Sequence, residues 1–79
     1  MDDSEILARI DALVAEEHAL EARPGHAMTP EDHERLRALE VALDQCWDLL
    51  RQRRARRANG LDPDAAAVRP EGTVEGYRQ

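Results

Sequence analysis

Five apolar residues in the middle of the chain narrow its possible folds more than any other feature. Leu36, Leu39, Leu43, Cys46 and Leu50 recur at alternating intervals of three and four, which returns side chains to one line of an α-helix and marks a coiled-coil seam. Trp47 and Leu49 widen that stripe on either side. The run has clear ends. Thr29-Pro30-Glu31-Asp32 supplies an N-cap, a proline suited to the first helical position and a carboxylate placed for a capping box. Asn59-Gly60 supplies a stop after arginines that suit the negative end of the helix dipole. The expected helix runs over 30–58.

A shorter helix is expected over 4–22. Asp3 or Ser4 serves as its cap, and Ile6, Leu7, Ile10, Leu13, Val14 and Leu20 share a face. Arg23-Pro24-Gly25 ends it, because a residue before proline avoids helical angles and glycine accepts almost any. The 23–29 segment then reads as a turn and residues 1–60 as an antiparallel two-helix hairpin, an all-α fold. In that pairing the acidic start of the first helix (Asp2, Asp3, Glu5) falls beside Leu50 and Arg51, where the basic run begins. Past Gly60 the pattern breaks. Asp62-Pro63-Asp64 can cap one short turn over 65–67, while Pro70, Gly72 and Gly76 forbid a long helix. Residues 61–79 read as an extended or irregular C-terminal arm, either disordered or docked on a partner, with Leu61, Val68, Val74 and Tyr77 as scattered anchors.

Composition enters where function is concerned. With 11 basic against 17 acidic residues the net charge is −6, which argues against unselective binding to nucleic acid or to anionic membranes. Every basic residue is arginine. One cysteine excludes an intramolecular disulfide and fits a reducing compartment. The acidic N-terminus lacks the pattern of a signal peptide, and no apolar run approaches the ~20 residues that span a bilayer. The cytoplasm is the expected location.

Both apolar stripes are wider than a two-helix seam requires, so self-association into a homodimer or tetramer, as a four-helix bundle, is expected. Trp47, Leu49, Leu50 and Tyr77 are the interface candidates. Glu17 and Glu21 interrupt the stripe of the first helix, with His18 at its edge and His33 and Arg37 near the same level of the second. Carboxylates and histidines facing inward can bind metal in bundles, usually through Glu-x-x-His pairs. Glu16-Glu17-His18 and Glu31-Asp32-His33 do not have that spacing. The plainer reading makes Glu17, Glu21 and His33 polar seam residues that pair across the hairpin and fix its register. His26, in the loop, is expected in water.

Arg51, Arg53, Arg54, Arg56 and Arg57 form the densest charge in the chain. A basic helix end of this kind can lie on nucleic acid. It can equally satisfy the helix dipole and pair with acidic residues of its own chain or a neighbour, and the absence of interleaved aromatics favours that second role. Cys46 falls on the seam and reads as a buried thiol. No nucleophile–base set, phosphate-binding glycine loop or paired-cysteine motif is present. No catalytic, cofactor or metal residue is assigned.

The run Leu39-Glu40-Val41-Ala42-Leu43-Asp44-Gln45-Cys46-Trp47-Asp48-Leu49-Leu50-Arg51-Gln52-Arg53-Arg54 has companions along the chain. These are Glu16-Glu17-His18, Asp62-Pro63-Asp64, Val68-Arg69-Pro70 and Val74-Glu75-Gly76-Tyr77. Together they resemble a bacterial family of small proteins, domain of unknown function 2630. The resemblance covers nearly the whole chain. It implies that the C-terminal motifs are integral to the protein, and it brings no reaction, ligand or catalytic residue. The loop over 23–28 departs most from the family's pattern, as a surface turn would. The reading is a non-enzymatic helical hairpin acting through protein–protein contact and self-association, with a nucleic-acid-associated protein and a metal-binding bundle as alternatives.

Overall fold

A computed structural model describes residues 1–23, 25 and 27–74. Its elements are α1 (Asp3–Glu21), α2 (Pro30–Ala58), a 3-10 turn (Pro63–Ala65) and a single helical turn, α3 (Glu71–Val74). No strand occurs among the described residues.

Each long helix begins on a reciprocal cap. Thr29 and Asp32 form the expected box at α2: the Thr29 hydroxyl accepts from the Asp32 amide at 3.1 Å, and the Asp32 carboxylate accepts from the Thr29 amide at 3.0 Å. The cap of α1 is Asp2, not the expected Asp3 or Ser4. A box needs a carboxylate three residues after the cap. Asp2 has Glu5 there, whereas Asp3 and Ser4 would have Ile6 and Leu7. At the far end of α2, Gly60 takes φ +70°. The Gly60 amide then donates to Arg57 and the Leu61 amide to Arg56, at 3.2 and 2.8 Å, which closes the last turn and redirects the chain.

The two helices pack antiparallel, with Asp3 against Arg53 and Arg57 at one end and Glu16 against Arg35 towards the other. Ile6, Ile10 and Leu13 of α1 close on Leu39, Cys46, Leu49 and Leu50 of α2. Leu7 stands outside this seam and is exposed. At 1.5 Å per residue α2 extends ~43 Å against ~28 Å for α1, and the molecule measures 52 × 24 × 17 Å.

The described part of the arm, 61–74, docks on its own chain, whereas disorder or a partner surface was expected. Asp62 caps the 3-10 turn through the Asp64 amide at 2.9 Å, two residues earlier than the expected turn over 65–67. The chain then runs extended along α2 before Glu71 of α3 meets Arg37 at 3.0 Å. Ala66 packs on the core, and Val68 shares a recess of about 250 Å³ with Leu49. Leu49 and Leu50 are therefore core residues of the single chain, and the width of the α2 stripe is partly explained from within.

Candidate functional site

The arm is held by polar groups on the side of α2 turned away from α1. Gln45, Asp48 and Gln52 lie three and four residues apart, along one helical row. Gln45 donates to the Arg69 carbonyl at 3.3 Å and Gln52 to the Ala67 carbonyl at 2.7 Å, so two arm carbonyls are satisfied. Asp48, between them, has no exposed surface. Its carboxylate takes both ends of the Arg69 guanidinium, with the Nε contact at 2.9 Å, and also accepts from Gln52 at 2.9 Å.

A second junction lies one turn further on. Arg53, 6% exposed, donates to Asp3 at 2.5 Å, to Asp64 at 2.9 Å and to the Pro63 carbonyl at 3.2 Å. One guanidinium thus ties α1, α2 and the arm together, using the fork geometry that only arginine offers. Hydrogen bonds from Arg57 and then Arg53 hold the Asp3 carboxyl below its usual range. Asp3 and then Asp64 raise Arg53 further.

These contacts settle where the basic run goes. Arg53 is buried, Arg57 bonds Asp3 at 2.7 Å, and Arg56 donates to the Asp62 carbonyl at 2.6 Å. Arg51 is half-buried, and Arg54 is exposed. The run is spread around the helix and its charge is largely engaged within the chain. The acidic start of α1 does meet it, through Arg53 and Arg57 on Asp3.

The seam residues need correction. Glu17 is half-buried, but Glu21, His33 and His18 are exposed. Glu21 is the last residue of α1, where the helix opens to water, and His33 lies off the Leu39–Cys46–Leu50 line. Here Glu16 pairs with Arg35 across the two helices, and Arg23, in the turn, pairs with Asp32 at the start of α2. Among the described residues no three His, Cys, Asp or Glu side chains stand close enough to hold a metal ion. Cys46 is buried and its thiol is pushed up by burial, against the opposing influence of Arg9.

Of the interface candidates, Leu49 and Leu50 are in the core and Tyr77 lies outside the described residues. Trp47 remains. It packs against the core yet is only half-buried. At ~100° per residue, Trp47 lies roughly 80° to one side of the Leu39–Cys46–Leu50 line, while Gln45 and Gln52 lie ~120–140° to the other. The described arm therefore covers one flank of the hairpin and leaves the Trp47 flank open. On α1 the same flank carries Leu7, 47% exposed, and half-buried Val14. Arg9 is on the arm's side, lining the recess with Val68.

Sequence reasoning missed Asp48 and Arg69. A signal was present: Asp48 stands within Cys46-Trp47-Asp48-Leu49-Leu50, a carboxylate among four large apolar or sulfur side chains. Such a residue needs a buried partner.

No helix among the described residues is long and apolar enough to cross a membrane. The chain is 58% identical over 77 residues to an uncharacterized protein of Mycobacterium tuberculosis (strain H37Rv), covering 95% of this chain and 88% of that one. The same values hold for an uncharacterized protein of Mycobacterium bovis. No solved structure matches. Residues 2–79 match the family described as "Protein of unknown function (DUF2630)", and the chain belongs to that family.

Proposed function

We propose that the protein is a non-enzymatic interaction module of the cytoplasm that works by self-association through the open flank of its hairpin. The observation that carries this reading is the one-sided cover of the seam. Among the described residues the arm seals the Leu49 side, while Trp47, the largest apolar side chain present, stays half in water and Leu7 of α1 is exposed. Elongation points the same way. A compact chain of this length has a radius of gyration near ~12 Å, against 14.8 Å here. Much surface is thus left for contact with another body. The single buried thiol suits a reducing compartment.

Light scattering on the purified chain at tens of micromolar tests the proposal. The expected mass is twice the 8.9 kDa of one chain. A folded species that stays at the single-chain mass over the whole concentration range would overturn it.

A further inference from the structure

Glu40, Trp47 and Arg54 are seven residues apart in each direction. Seven residues fall within ~20° of two full helical turns, so the three lie on one line of α2, the open flank. Glu40 and Arg54 are exposed, and neither makes an ion pair within the chain among the described residues. Their neighbours on α2 differ: Arg53, Arg56, Arg57 and Arg37 all bind acidic groups or carbonyls of the same chain.

We infer that two copies associate about a two-fold axis at Trp47, with their α2 helices antiparallel and Glu40 of each chain facing Arg54 of the other. This inference rests on the self-association reading and gives it a geometry. The arithmetic is that of any isologous contact: a residue n positions before the axis meets the residue n positions after it. With the axis at 47 and n equal to seven, Glu40 meets Arg54, and it does so twice. A parallel arrangement in register would instead set Glu40 against Glu40 and Arg54 against Arg54, so the charges select the antiparallel one. Between the two ion pairs lie the two indoles, flanked by Leu43 of α2 and by Leu7 and Val14 of α1. The contact has an apolar centre and a charged rim, the usual anatomy of a specific interface. Along the helix it is ~21 Å from Glu40 to Arg54, at 1.5 Å per residue.

Charge reversal tests this without touching the core, with circular dichroism confirming that each variant keeps its helices. Glu40→Arg and Arg54→Glu should each weaken self-association about tenfold, since each places like charges at both rims. An equimolar mixture of the two variants should regain wild-type association as a heterodimer, because every facing pair is then opposite in sign. The chain carrying both substitutions should regain it as a homodimer. Trp47, the only tryptophan, gives a second readout, with emission shifting to the red as the wild type is diluted. If the wild type associates but both reversals match it and mixing adds nothing, the two-fold contact at Trp47 is wrong while self-association stands. If the wild type never exceeds the single-chain mass, both readings fall. A monomer whose emission shifts red only on removal of residues 75–79 would assign the flank to the chain's own last residues, and would overturn the inference.

Discussion

Asp48 is fully out of water although helical periodicity puts it on the outer face of α2, turned away from α1. Burying such a charge is tolerable only with a fixed partner and its remaining lone pairs satisfied. Arg69 and Gln52 do both. Arg69→Met should therefore cost about 3 kcal/mol in urea unfolding, the lower end for breaking a buried pair, because Gln52 keeps one bond and Arg69 is partly solvated. Adding Asp48→Leu to that variant should recover most of the loss, since an apolar pair needs no desolvation. A double variant no more stable than Arg69→Met would show that the arm depends on the charge itself rather than on relief of an unpaired one. Arg53 is a different case: it sits between two carboxylates and a carbonyl, so removing any single partner leaves it bonded.

At the scale of elements, α2 is anchored at its start by Thr29, Asp32 and Arg23. The backbone amide of Thr29, and then the Arg23 guanidinium, lower the Asp32 carboxyl to about 2, against the opposing effect of burial. A folded-state value below the unfolded one means that the stabilisation is complete above about 4 and disappears as the pH falls through about 2. Asp32→Asn should melt below wild type at neutral pH, and the gap between their melting temperatures should close between pH 4 and pH 2. A gap independent of pH would assign the effect to helix propensity instead. This cap, like the α2 seam, was legible because both are local: the residues that make them are at most four apart, and spacing records them directly. The arm's course was not legible. Asp48 and Arg69 are 21 residues apart, and no periodicity links an exposed-looking Asp on one element to an Arg beyond a proline turn. The error at Glu21 and His33 had a third origin. For Glu21 an ideal stripe was extended to the end of α1, where the helices no longer shield a side chain from water, and His33 shares that level but lies off the α2 seam line. The match of Glu40, Trp47 and Arg54 sat in the sequence throughout, yet it acquired meaning only once the arm's position showed which flank was open.

For the molecule as a whole, the clasp at Arg53 bears on time as well as on stability. Its bond to Asp3 joins residues 50 apart, and the neighbouring Arg57–Asp3 bond joins residues 54 apart. The hairpin turn brings Glu16 to Arg35 across only 19 positions. Contacts with short separations cost little chain entropy and form early, whereas those that close long loops come after the barrier unless they belong to the nucleus. A hairpin zipping from its turn reaches Asp3 and Arg53 last, and the arm must be in place before Asp64 can join them. Interactions absent from the transition state leave the folding rate alone and slow unfolding. In stopped-flow measurements, Arg53→Met should unfold several-fold faster than wild type and refold at the same rate. An equal fall in the refolding rate would instead put this end of the hairpin in the nucleus. On this view the guanidinium governs not how the chain finds its fold but how long each molecule keeps it.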